Sequence, residues 1–152
     1  MIFDYIDASK IKQKKTDEDA AEADLSGKHI LLCEDHPLNQ EITKTLLESR
    51  GAIVEIAGDG DQGVRLFKDS AIGTFDLILM DIRMPVKDGY QATKEIRALP
   101  RIDAKHLPIV AITADAFGED VEKCLAAGMN GHLSKPIDPD KMYHLLGTYL
   151  AK

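Results

Sequence analysis

The chain has 152 residues, 44% of them apolar and 30% charged, which is enough to bury one core without disulfides or a structural metal. Acids outnumber bases by 26 to 19, and the formal net charge of -7 disfavours a phosphate backbone, so nucleic acid is not an expected partner. Cys33 and Cys124 match no metal or redox spacing and read as reduced apolar residues. No apolar run approaches the ~20 residues of a membrane span, and Met1–Asp7 carries acids where a signal peptide needs bases. A cytoplasmic location is expected, with no direct membrane contact.

Residues 1–26 stand apart. Ile11-Lys12-Gln13-Lys14-Lys15 is basic, Asp17-Glu18-Asp19 and Glu22 to Asp24 are acidic, and apolar residues are sparse after Ile11. Little burial is on offer there to offset chain entropy, so 1–26 reads as a linker or disordered lead and 27–152 as the folded domain. From His29 onward, apolar runs of strand length appear at His29–Cys33, Ala52–Ala57, Phe75–Met80, Pro108–Ile112 and Gly131–Ser134, with helical spacing between them. Leu38, Ile42, Leu46 and Leu47 share one helical face, as do Met142, Leu145, Leu146, Tyr149 and Leu150. Pro37 suits the first turn of a helix, and Gly51 and Gly128 suit helix ends.

The second and third strands are apolar on both faces, as in parallel sheets covered on both sides. Alternation of five strands with five helices predicts an α/β fold: a flavodoxin-like, doubly wound parallel sheet of order 2-1-3-4-5. The switch point between strands 1 and 3 puts the ligand site outside the carboxyl ends of the strands.

Chemistry-bearing residues stand at those ends. Glu34 and Asp35 follow strand 1, Asp81 follows strand 3, Thr113 strand 4, and Lys135-Pro136 strand 5. Three neighbouring carboxylates need a cation, and oxygen ligands suit Mg²⁺, which shares itself readily with a phosphate. An ammonium and a hydroxyl nearby would hold phosphoryl oxygens, and a carboxylate can itself accept a phosphoryl group. Taken singly, each residue has a plainer role: Asp35 or Thr113 as a helix cap, Asp81 opening a turn, Lys135 on the surface. Five of them at corresponding strand ends make a poor coincidence.

From about Lys28 to Leu150 the chain resembles a receiver domain of two-component signalling. The matching pieces are Ile30-Leu31-Leu32-Cys33-Glu34-Asp35, Leu79-Met80-Asp81-Ile82-Arg83-Met84-Pro85, Asp88-Gly89, Ala111-Ile112-Thr113-Ala114 and Leu133-Ser134-Lys135-Pro136. Met84 to Tyr90 and Lys135 to Asp138 look most like receivers of hybrid sensor histidine kinases. The resemblance implies that Asp81 is the phosphoacceptor and that Asp35 binds Mg²⁺ directly. Glu34 would act through water, and the Arg83 backbone carbonyl would complete the protein ligands. Thr113, Lys135 and the Ala114 backbone N–H would contact the phosphoryl group.

His132 stands where the family usually carries Tyr or Phe. It reads as a tolerated substitution or, more sharply, as a switch residue that couples weakly or with pH. The implied donor is a phosphohistidine on a histidine kinase core or a histidine phosphotransfer domain. The resemblance also allows a homodimer through the fourth helix, fifth strand and fifth helix. Residues after Lys135 suffice for one closing helix and leave no room for a DNA-binding output domain. The lead at 1–26 favours a piece of a hybrid kinase over a free-standing response regulator.

Gly58-Asp59-Gly60-Asp61-Gln62-Gly63 matches the dinucleotide fingerprint Gly-x-Gly-x-x-Gly, with Asp81 roughly 20 residues on. Asp59 and Asp61 would repel a pyrophosphate, however, and the motif leaves the strand-end residues unexplained. A flavin site would place phosphate against Glu34-Asp35, and Arg83 stands where an aspartate-nucleophile phosphatase carries its second acid. The five histidines show no metal spacing, and Tyr90 reads equally as packing or as a partner contact.

Overall fold

The computed structural model describes residues 24–114 and 119–150. The linker expected over 1–26 therefore lies outside the described residues apart from its last three. Of those, Leu25 is fully buried, and its N–H donates to the Arg50 carbonyl at 2.9 Å.

Five strands, β1 (His29–Cys33), β2 (Ile53–Ala57), β3 (Leu77–Asp81), β4 (Ile109–Thr113) and β5 (Gly131–Ser134), form one parallel sheet of order β2-β1-β3-β4-β5. The helices among the described residues are α1 (Pro37–Glu48), α2 (Gly60–Asp69), α3 (Gly89–Ala98), α4 (Asp103–His106), α5 (Glu119–Ala127) and α6 (Pro139–Leu150). Sequence spacing predicts five. The extra one, α4, is a four-residue turn before β4, too short for apolar periodicity to register.

Alternating strand residues feed two cores, as a two-residue period requires. Leu31, Cys33, Ile78, Met80, Ile109 and Ala111 pack with Phe67 of α2, Ile96 of α3 and Cys124 of α5 on one face. Ile30, Leu32, Leu77, Leu79, Val110 and Ile112 pack with Leu47 of α1 and Met142, Tyr143 and Leu146 of α6 on the other. The strands β3 and β4 are buried at every position.

One expectation changes. The β2 strand is not buried on both faces: it forms an edge, Ile53 is 54% exposed, and Glu55 lies 3.4 Å from His29 Nε2. The apolar face of α1 is also only partly covered. Leu47 is buried, but Leu38 and Ile42, near the strand carboxyl ends, are 61% and 48% exposed. Pro37 does open α1, and Gly51 and Gly128 do adopt positive φ, at 91° and 105°.

Candidate functional site

Sheet register builds the site. Cys33 pairs with Met80, which sets Glu34 beside Asp81, while Asp81 pairs with Ile112 and Thr113 with Ser134. Residues far apart in sequence thus meet at one edge. One carboxylate oxygen from each of Glu34, Asp35 and Asp81 lies within 4.8 Å of the others.

Asp81 is 1% exposed. Lys135 Nζ reaches across β4 to donate to its Oδ2 at 2.9 Å, and the Arg83 N–H donates to Oδ1 at 3.2 Å. The Lys135 N–H donates to the Thr113 carbonyl at 2.8 Å, which ties the lysine to the end of β4; the Lys135-Pro136 bond is cis. Glu34 is 2% exposed. Its Oε2 accepts the His36 N–H at 3.1 Å, and its backbone carbonyl accepts Gln40 Nε2 at 2.6 Å.

Burial first, and then the nearby Asp81 charge, pushes the Glu34 carboxyl up to about 7; the His36 N–H and Lys135 pull the other way. Asp35 is exposed and does not cap α1: the cap position is His36, and no side chain bonds there. Two buried acids and one exposed acid stand around a single ammonium, so negative groups outnumber the positive one. That donor set fits a hard, oxygen-bound divalent cation.

The loop after Asp81 is held close. The Gly89 N–H donates to the Ile82 carbonyl at 2.8 Å, and a Cβ on Gly89 would strike the Asp81 carbonyl oxygen, so the chain can pass only as glycine. Asp35, Arg83, Met84, Asp88 and Tyr90 line a cleft of about 400 Å³ beside the acids. On the other side, a cleft of about 480 Å³ runs between α1 and the Lys135-Pro136-Ile137 segment, with Glu34 and Ile42 in its wall. Ala114 is exposed just beyond Thr113. His132 is half-buried on β5, away from the acids, in a groove of about 310 Å³ with Cys124, Leu125, Met129 and Leu145.

A family model described as the response regulator receiver domain matches residues 30–146. The chain belongs to this family. Among curated relatives, the receiver is 39% identical over 125 residues to hybrid signal transduction histidine kinase I of Dictyostelium discoideum, covering 81% of this chain and 7% of that protein. Across the first relatives it matches, the receiver spans only 7% to 15% of their length.

Among solved structures it is similar to the receiver domain of sensor histidine kinase PA1611 from Pseudomonas aeruginosa, which has a magnesium ion in its active-site cleft. Identity there is 42% and the TM-score 0.75, covering 84% of this chain and 100% of that one. It is also similar to the complex of the Saccharomyces cerevisiae phosphotransfer protein Ypd1 with the Ssk1 receiver domain. That match is 27% identical, with a TM-score of 0.71, covering 80% of this chain and 88% of that one.

The glycine-rich stretch is occupied by the fold. The Asp59 side chain accepts the Gln62 N–H at 2.8 Å, capping α2, while Gln62 Oε1 accepts the Gly58 N–H at 2.9 Å. A Cβ on Gly60 would strike the Lys87 carbonyl, and one on Gly63 would lie 2.7 Å from Cys33 Sγ. These glycines serve close packing, and a carboxylate already holds the helix N-terminus where a pyrophosphate would sit.

Sequence reasoning missed Asp120. Its Oδ2 accepts the Thr113 hydroxyl at 3.0 Å and its Oδ1 the Tyr90 hydroxyl at 3.1 Å. The residue was hidden among Glu119, Asp120 and Glu122, which read as the ordinary acidic first turn of a helix. Among the described residues, no helix is long and apolar enough to cross a membrane.

Proposed function

We propose that Asp81 accepts a phosphoryl group from the phosphohistidine of a histidine kinase core or histidine phosphotransfer domain, and that this receiver is part of a hybrid histidine kinase. The observation that carries the reading is the Asp81 carboxylate itself. It is buried, bonded to Lys135 at 2.9 Å and gathered with two further acids at the strand ends. In the transfer, an Asp81 oxygen forms an O–P bond as the donor's N–P bond breaks, and the electron pair stays with the imidazole nitrogen.

Glu34, Asp35, Asp81 and the Arg83 backbone carbonyl would hold Mg²⁺, which when bound neutralises carboxylate and phosphoryl charge together. Lys135, released from direct pairing with Asp81, neutralises a phosphoryl oxygen as a point charge. The Thr113 hydroxyl and the Ala114 N–H are the hydrogen-bond donors for the remaining oxygens, and His132 is the β5 residue that answers the change. Leu38 and Ile42, exposed apolar residues beside the Lys135 cleft, suit an apolar partner face that brings its phosphohistidine to Asp81. The kinase relatives and the Ypd1 complex support that context.

Intact mass after incubation with Mg²⁺ and acetyl phosphate tests the acceptor. One added phosphoryl group is expected, lost in Asp81→Asn and in chelator. Modification that survives Asp81→Asn would refute the assignment.

A further inference from the structure

Asp120 ties three elements together by accepting two hydroxyl protons at once. It sits in the first turn of α5, receives Thr113 from the end of β4 on one oxygen, and receives Tyr90 from the start of α3 on the other. Thr113 is 1% exposed, so this bond lies against the core rather than in open solvent, where water would replace it at little cost. Burial first, and then the bond to Asp120, pushes the Tyr90 phenol up to about 12, so Tyr90 remains a donor throughout the working pH range. Complementing the α5 dipole does not account for the arrangement, because Glu119 and Glu122 in the same turn supply that charge.

A hydroxyl has a single proton to donate. In this structure the Thr113 proton goes to Asp120, whereas the phosphorylated receiver needs it on a phosphoryl oxygen of Asp81. We propose that Asp120 is a positioning residue that competes with the phosphoryl group for the Thr113 hydroxyl and so sets the balance between the unmodified and modified states. The inference rests on the phosphoacceptor reading of Asp81. Modification detaches Thr113 from Asp120 and leaves that carboxylate with Tyr90, which links the site to the first turn of α3.

The test uses the full chain and beryllofluoride with Mg²⁺ as the phosphoryl mimic. Affinity is measured for wild type, Asp120→Ala, Thr113→Val and the double variant, each checked for a cooperative melt. Asp120→Ala is expected to tighten binding about tenfold, the scale of one hydrogen bond to a charged group. In the Thr113→Val background the same change is expected to matter less than about twofold, since interacting residues show their coupling only when both are present.

Unchanged or weaker binding by Asp120→Ala overturns the proposal. Tightening that persists with Thr113→Val also overturns it, because loss of negative charge alone would then explain the gain. Should Asp120→Ala fail to fold, Asp120→Asn runs the same cycle, with a smaller gain expected because its amide oxygen still accepts. Failure of wild type to bind the mimic overturns the acceptor reading and this inference with it; binding by wild type without the coupling overturns this inference alone.

Discussion

Glu34→Gln should remove a pH-dependent penalty that burial imposes on the acid cluster at the strand ends. Glu34 is 2% exposed and faces Asp81, and its carboxyl is raised from the ordinary 4.5 to about 7, by burial first. In the unfolded chain the carboxyl ionises near 4.5; in the folded chain it keeps its proton to about 7. Between those values the folded state binds more protons, so the stability it contributes is fully present below pH 4.5 and is lost as pH rises through 7. The displacement would be worth about 3 kcal/mol at full effect, and solvent screening at the open strand ends brings the expected loss to about 1 to 2 kcal/mol in the metal-free protein.

Glutamine keeps an oxygen for the His36 N–H and carries no charge to desolvate, so the variant should lack this slope. Urea unfolding in chelator at several pH values from 4.5 to 8 measures it, with the wild-type minus variant difference isolating residue 34 from other titrating groups. On the proposed metal reading, Mg²⁺ should restore wild-type stability at the upper end of the range, because a bound cation would favour the ionised carboxylate beside it. Wild-type and variant curves that run parallel in chelator would refute the reasoning.

Val86 is 80% exposed and adopts a φ of 69° in a tight turn closed by the Lys87 N–H on the Pro85 carbonyl at 2.7 Å. Relieving that conformation in Val86→Gly should raise stability by about 0.5 to 1 kcal/mol in denaturant unfolding, the strain relieved exceeding the added chain entropy. Gly89→Ala should cost about 2 kcal/mol and weaken Mg²⁺ binding in the same titration, since its Cβ would press on the Asp81 carbonyl oxygen. Leu38→Asp should slow transfer from a phosphohistidine protein about tenfold while labelling by acetyl phosphate stays level, because on the proposed docking only a protein donor would touch that face. Equal slowing with both donors would place Leu38 in the chemistry instead.

Strand positions were legible in the sequence because they follow from local periodicity, and the parallel order followed from the alternation of strands with helices. A parallel strand buried on both faces reads as an unbroken apolar run, and its carboxyl end is marked where that run stops at a polar residue. Glu34, Asp81 and Thr113 stand at such stops, whereas Lys135 follows the short, part-exposed β5.

Exposure was not legible. The Ala52–Ala57 run reads by itself as buried, and the exposure of Ile53 follows only from the sheet order, which leaves β2 with a single neighbour. Leu38 and Ile42 share a helical face with Leu47, and only the placement of α1 along the sheet decides that Leu47 reaches the core and they do not. The partner of Thr113 was hidden for the same reason. Asp120 belongs by sequence to an acidic helix start, and it becomes part of the site only when α3, β4 and α5 close on one another.

The sequence alone determines the residue types and the strand ends, because those are local properties of the chain. The charge state of Glu34, the exposed face beside Lys135 and the hold on Thr113 come from tertiary structure. They depend on which groups are excluded from water together.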